Sequence, residues 1–358
     1  MTRKDYIFRL VCCAAALLLT LVACERRPLE EPSEFVQIRV KVNVNTVANV
    51  KVDVYNENIP LPDMNTDMMR VLVYDPSSKK LLTQSFISGK SYDEDGSQVL
   101  SGTLNIAYGN YDFLVYNFDT PITQVMGESD ETDILAYTAE IPAAQKARYS
   151  GRTKAGDDDD DIDDLMDLDM RYEPDHLLVA HEDNFRISPH DSVIVIETEA
   201  TTVVDSYYLQ IHVEGMQYAS SAMAVISGLS PSNHIGMNER TEDPSVAVAF
   251  DLNKSQDPRL EGENKDVLCA VFNTFGKIAE TQSDLIVTFN VVDVAGNLQQ
   301  FQTSLDQVFK TENAILHHWL LIRETWVIDN PTPDEPPTNG GFQPTVDDWE
   351  EEHGEIVI

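Results

Sequence analysis

The chain has 358 residues, 42% of them apolar, and sets 61 Asp and Glu against 25 Lys and Arg for a formal net charge of −36. That length suffices for two domains, each burying its own core. The charge excludes nucleic acid as a partner, because phosphate backbones are bound by Lys and Arg that displace counterions, and it keeps the surface off anionic lipid headgroups.

At the N-terminus Arg3, Lys4 and Arg9 precede an apolar run from Val11 to Ala23. The run is shorter than the about 20 residues that cross a bilayer, so residues 1–23 read as a secretory signal peptide and not as a span. It closes on Leu21, Val22, Ala23 and Cys24, which resembles a bacterial lipobox. The resemblance implies that Cys24 becomes the first residue of the mature chain, diacylated on sulfur and acylated on its amine with palmitate-like chains. Each buried methylene contributes roughly 0.8 kcal/mol, so two or three chains hold firmly where one holds marginally. The expected partner is therefore outer-membrane lipid, in a leaflet that the following Glu25, Arg26 and Arg27 leave open. Residues 24–34, charged and proline-bearing, read as an extended tether. Cys12 and Cys13 leave with the signal and Cys24 is committed to lipid, so Cys269 has no disulfide partner. Its apolar setting, VLCAVF, predicts a buried and inert thiol.

From residue 35 the pattern is that of strands. In FVQIRVKVNVN, Val36, Ile38, Val40, Val42 and Val44 alternate with polar residues, the period of a strand with one wet face. MMRVLVYDPSSKKLLTQSFI predicts a hairpin around Asp75, Pro76 and Ser77, and VLSGTLNIAYGNYDFLVYNF two strands broken near Gly109 and Asn110. ILAYTAEIP and a helix-compatible AAQKARYS close an N-terminal domain at 35–150. Residues 151–184 open with GRTKAGDDDDDIDDLMDLDM and read as an acidic linker or loop. A C-terminal domain at 185–330 follows, with DSVIVIETEA, SYYLQIHVEGM, SAMAVISGLS, SVAVAFDL, VLCAVFNTFG and DLIVTFNVVDVAGNLQQFQTSL. The last of these turns at Ala295-Gly296-Asn297. Residues 331–358 are a Pro-rich spacer and C-terminal tail, ending FQPTVDDWEEEHGEIVI. Ile356, Val357 and Ile358 suit an edge strand, added to a sheet of the same molecule or of a neighbour. The fold class so read is all-β, as two tandem antiparallel β-sandwiches. An echo between FLVYNF at 113–118 and VLCAVFNTF at 267–275 lends mild support to two related domains.

Catalytic and metal motifs were sought and are missing. The aspartate run places Ile162 and Leu168, or Asp164 and Met170, where a calcium loop needs Gly and Glu. His317 and His318 adjoin, but in an extended segment they point to opposite faces. His212 falls on the wet side of its strand, and no HExxH, GxSxG or phosphate loop occurs. Tyr207, Tyr208, Trp319 and Trp326 are candidates for a sugar-binding face, though at strand spacing core or interface is the commoner role. The expectation is a protein that is not an enzyme and takes no cofactor or metal.

The lipobox, the long first strand at 35–45, LNIAYGNYDFLVYNF, AMAVISGLS and the closing FQPTVDDWEEEHGEIVI together resemble the fimbrillin-like lipoproteins of Bacteroidales. The resemblance implies two transthyretin-like Greek-key sandwiches in tandem, delivered to the outer membrane at the cell surface as a lipoprotein. It also implies a role in a fimbrium and in cell adhesion. In the family's stalk subunits an arginine-specific protease cuts after the first strand, and the vacated groove accepts a partner's C-terminal strand. This chain has no arginine between Arg39 and Arg70, so the expected target is missing and the subunit stays whole, as an anchor requires and as a stand-alone surface lipoprotein would equally show. The expected function is that of an anchor or accessory subunit of a fimbria-like assembly, with a pilin or other fimbrial subunits as partners. Phe342, Val346, Trp349, Ile356, Val357 and Ile358 of the tail are the expected contact residues. The alternative is a solitary surface lipoprotein that holds a glycan or host ligand.

Overall fold

A computed structural model describes residues 35–45, 64–150, 165–188, 194–278 and 284–331. In chain order, β1 (Phe35–Val44) is followed by β2 (Met69–Tyr74), β3 (Leu81–Ile87), β4 (Gly89–Tyr92), β5 (Gln98–Ala107), β6 (Gly109–Asn117), β7 (Gln124–Met126) and β8 (Leu135–Tyr137). Helix α1 (Ala143–Tyr149) and β9 (Met170–Arg171) lead to β10 (Leu178–Ile187) and β11 (Ile194–Thr202). Then come β12 (Asp205–Glu214), β13 (Ala219–Leu229), β14 (Ser232–His234), β15 (Glu239–Arg240), β16 (Val246–Asp251), β17 (Asn253–Gln256) and β18 (Asp266–Thr274). The last elements are β19 (Ile286–Asp293), β20 (Leu298–Ser304), helix α2 (Glu312–His317) and β21 (Trp319–Val327). The chain is predominantly β, as its strand periodicity predicts.

The first unit is a sheet in the order β3-β2-β6-β10-β11-β1-β5-β4. β10 and β11 share only the pairs Leu178↔Thr202 and Val179↔Thr201. There the sheet folds over, and β1, β5 and β11 face β2, β6 and β10 across one core. The alternation in β1 is realised: Ile38, Val40, Val42 and Val44 are buried while Arg39 is exposed. In β6 both faces are apolar because both are covered, with Phe113 and Val115 in that core and Leu114 and Tyr116 in a second cluster behind it.

Sheets β17-β18-β12-β21 and β20-β19-β13-β16-β9 form the second unit around its own core. Taken in chain order, β1 to β6, β10 and β11 correspond one for one with β12, β13 and β16 to β21. Each unit places its eight strands in the same neighbour order, with the first and last paired in parallel. The parallel pairs β1·β11, β12·β21 and β9·β16 depart from the wholly antiparallel expectation. The echo between 113–118 and 267–275 is coincidental, since it joins β6 to β18, whereas β6 corresponds to β19.

A second domain beginning at residue 185 would cut β10. The ladders carry the first unit to Thr202, because Leu178, Ala180, Ile187, Ile194 and Ile196 all face the first core. The helix predicted near 143–150 forms, but it belongs with the second unit. Ile141, Tyr149, Leu165 and Met170 pack on Met223, Val225, Ala247 and Ala249, covering the outer face of β13 and β16. β5 and β6 are not a hairpin, since the chain crosses between layers at Tyr108, and the Tyr111 hydroxyl donates to the Ala107 carbonyl at 3.1 Å. The two predicted turns are present. Asp75 Oδ1 accepts from Ser77 N and Ser78 N, and Asp293 Oδ1 accepts from Ala295 N and Asn297 N around Gly296, whose φ is +89°.

The units meet through a four-stranded sheet, β15-β14-β8-β7, with two strands from each. β8 pairs with β14 from Leu135↔His234 to Tyr137↔Ser232. Beneath it Leu72, Tyr74, Leu114 and Tyr116 of the first unit pack with Ile134, Ala136, Ile235 and Phe275. Gly236 allows this approach, since a Cβ there would lie 1.9 Å from the Glu131 carbonyl oxygen.

Candidate functional site

Cys24 and the tail residues Phe342, Val346, Trp349, Ile356, Val357 and Ile358 lie outside the described residues, as do the Pro-rich spacer from residue 332 and the aspartates at 157–161. The surfaces that remain for binding are the first strand, the sheet edges and the junction between the units.

β1 is held as an interior strand. It pairs with β5 from Phe35↔Ala107 to Asn43↔Val99 and with β11 from Ile38↔Ile194 to Val44↔Ala200. Lys41 Nζ lies 2.5 Å from Glu197, and Asn45 Nδ2 donates to Glu199 at 3.0 Å. Its four buried aliphatic side chains contribute about 1.5–3 kcal/mol each. Withdrawing the strand would open the first core along its full length.

The sheet edges differ in how they are protected. In the second unit the edge of β16 is covered by β9, through Ala247↔Met170 and Val248↔Arg171. The equivalent edge in the first unit is that of β3. There Leu81 N donates to Ser129 O and Lys80 bridges Asp130, and among the described residues nothing pairs with that edge from Leu82 to Ile87. Leu82 and Phe86 are 54% and 49% exposed. Phe86 lies 5.2 Å from Phe118 between ring centroids, with the Arg70 guanidinium 5.7 Å above it. Arg70 is neutralised by Glu128 at 2.7 Å. An open edge with apolar side chains beside it can accept an extended strand, whose main chain completes the ladder.

The junction is polar and closely bonded. His176 Nδ1 is 2.9 Å from Thr202 Oγ1, and its Nε2 is 2.9 Å from Ser206 Oγ, which donates to Asn273 Oδ1 at 2.7 Å. With the Ser206 proton committed to Asn273, His176 donates through Nε2, while the Thr202 hydroxyl lies between Nδ1 and the Val204 carbonyl, 3.1 Å away. Burial lowers the His176 pKa. Ser206 is wholly buried, so the contact ties strands together rather than preparing a nucleophile. Glu173 accepts from Asn273 N at 2.9 Å, and burial raises its carboxyl to about 7. Beside this network an open groove of 740 Å³ is lined by Asp205, Asn233, Glu239, Arg240 and Glu242, with Arg240 bonded to Asp205 at 2.6 Å. Among the described residues no group of His, Cys, Asp and Glu is arranged to hold a metal ion, and no helix is long and apolar enough to cross a membrane.

The candidate sugar-binding aromatics are core residues. Tyr208, Trp319 and Trp326 are buried, and Tyr207 is stacked between Phe272 and His318, at 5.9 and 4.6 Å between centroids. Arg259, held by Asp257 at 2.8 Å, lies over the Trp319 ring, whereas Tyr207 and Trp326 face the second core. His317 and His318 are not extended: one ends α2 and the other caps it in the left-handed conformation, φ 52°. His212 does not stand free in solvent, since Nδ1 lies 3.1 Å from Thr325 Oγ1 and Nε2 is buried. Cys269 is buried beside Tyr208 and its thiol pKa is raised by that burial, as its apolar run predicts. The open β3 edge was not found from sequence. The signal was there in LLTQSFI, seven residues without charge or proline in a highly charged chain.

The family described as a domain of unknown function, DUF5119, matches residues 39–251, more than half of the chain. A curated relative, the candidate fimbrium anchoring subunit Fim4B of Bacteroides ovatus, is 22% identical over 263 residues. The alignment covers 74% of this chain and 63% of that protein, so the chain spans less than two thirds of the relative's length. Among solved structures, a candidate adhesin from Bacteroides ovatus superposes with a TM-score of 0.55 at 17% identity, over 87% of this chain and 98% of that one. The two share a fold. The fimbrial anchor protein Mfa2 from Porphyromonas gingivalis gives a TM-score of 0.44 at 12% identity, over 80% of this chain and 88% of that one, too slight a likeness to equate the two.

Proposed function

The chain belongs to the family described as a domain of unknown function, DUF5119, and we propose that it is an anchor or accessory subunit of a fimbria-like assembly on the outer membrane. In this reading acylated Cys24 attaches it and residues 24–34 serve as the tether. The partner, a pilin or another fimbrial subunit, engages by β-strand addition through the tail residues Phe342, Val346, Trp349, Ile356, Val357 and Ile358. Each unit is read as a transthyretin-like Greek-key sandwich, and the protein as non-catalytic.

The observation that carries the reading is the state of β1. A subunit that stays where it is anchored must keep its N-terminal strand continuous with the lipid. Here β1 is paired on both sides, with no arginine between Arg39 and Arg70 at which the strand would be severed. The similarity to a candidate anchoring subunit over 263 residues supports the same role.

Two variants test it. Cys24→Ala is expected to move the protein from the outer-membrane fraction to the soluble fraction. Deletion of residues 342–358 is expected to leave it in the membrane while abolishing co-purification of a fimbrial subunit. A membrane-bound Cys24→Ala protein overturns the lipid anchor. Undiminished co-purification after the deletion overturns the tail as the contact, and no co-purifying subunit with either chain leaves a solitary ligand-binding lipoprotein as the better reading.

A further inference from the structure

We propose that the open edge of β3 is a self-association surface, at which two copies of this chain pair antiparallel about Gln84 and join their outer sheets into one. The proposal is independent of the lipid anchor and of the tail.

Three observations lead to it. First, the two units share one strand order, and the edge that β9 covers in the second unit is, among the described residues, left open in the first from Leu82 to Ile87. Second, beyond the bulge at Leu82 that edge lacks the features that keep edges apart: LLTQSFI holds no charge, proline or glycine, and Leu82 and Phe86 stand exposed. A chain of net charge −36 repels its own copies almost everywhere else. Arg70, the cation beside the strand's middle, is paired with Glu128 and donates to Gln84 Oε1 at 2.5 Å, which leaves the Gln84 amide NH2 to face its own copy.

Third, the strand is chemically palindromic. Counted outward from Gln84 it reads hydroxyl, then apolar, in both directions: Thr83 and Ser85, Leu82 and Phe86. An antiparallel two-fold about Gln84 therefore sets Gln84 against its own copy, Thr83 against Ser85, and Leu82 against Phe86. Every cross-strand pair is matched in kind, which is what an isologous interface requires. The limits of the open edge agree with a short pairing. At one end Ser129 occupies Leu81 N, and past Ile87 the chain leaves for β4 in the other layer, paired with β5. Phe118, tilted against Phe86, extends the apolar contact.

The two-fold makes Gln84 the one position that meets itself, so a cysteine there reports the pairing. Full-length Gln84→Cys treated with a mild oxidant is expected to give a disulfide-linked dimer at ten or more times the yield of Ser77→Cys, on the neighbouring exposed turn, or of the unaltered chain. Adding Phe86→Lys to Gln84→Cys is expected to reduce that yield at least tenfold in a protein that circular dichroism shows to be folded, because it sets a cation on the edge opposite Leu82. A Gln84→Cys yield equal to that of Ser77→Cys overturns the proposal. So does a yield insensitive to Phe86→Lys, or a cysteine captured chiefly by a different polypeptide.

Discussion

Glu173 shows how one side chain can carry a pH dependence for the whole junction. Its carboxyl sits against Asn273 N, with its pKa raised to about 7 by burial. With the folded pKa above the unfolded one, the native protein holds a proton that the unfolded chain releases. Its contribution is complete below about pH 4.5, is lost as pH rises toward 7, and does not change further above that. Glu173→Gln keeps the acceptor and removes the titration. It is expected to stabilise the protein at pH 8 by about 1–2 kcal/mol, less than the full shift because the side chain retains some solvent contact, and to be neutral at pH 4. Urea unfolding at the two pH values checks this, and equal effects at both would refute it. None of this was legible in the sequence. Glu173 and Asn273 are 100 positions apart, and His176 reaches Thr202 and Ser206 only because β11 turns into β12 within two residues. Cys269 was legible because its neighbours in sequence are its neighbours in the core.

At the scale of elements the strands themselves were readable, and their partners were not. Alternation in β1 and the turn chemistry at Asp75 and Gly296 are local signals, and each produced the predicted element. Membership of a sheet depends on long-range ladders, and so β10, expected mostly within the linker, and β11, expected with the second unit, complete the first. The apolar runs of β6 and β13 carry no period, because α1, β9 and the junction sheet cover their outer faces. That junction sheet depends on the fit at Gly236. Gly236→Ala places a methyl group 1.9 Å from the Glu131 carbonyl and 2.8 Å from Ile134 Cγ2, so β8 and β14 must separate. The expected cost is about 1–3 kcal/mol. In hydrogen exchange the loss of protection should be greatest at Ile235 N, which donates to Ile134 O at 3.1 Å, and an unchanged rate there would contradict the fit.

Across the whole molecule the dominant quantity is charge. At −36 the folded chain repels itself, and salt screens exposed charges that lie farther apart than about 10 Å at 0.1 M. Raising sodium chloride from 20 to 500 mM is expected to lift the thermal midpoint by a few degrees, at roughly 1–2 °C per kcal/mol of relief in a chain of this size. A lower midpoint in salt would mean that the ion pairs on the surface outweigh the repulsion. The charge was plain from composition, as was the all-β class. The correspondence of the two units was not, because it lies in strand order, and the one sequence echo joined strands that do not correspond.

The parallel pairing of first and last strand in each unit has a mechanical consequence. Traction applied between the start of β1 and the end of β21 pulls each such pair from opposite ends, sliding β1 along β11 and β12 along β21. Load of that kind falls on all the bonds of a ladder together instead of peeling them singly. The two units, joined in series by the short link from Thr202 to Asp205, are thus both oriented to resist stretching along the chain's own direction.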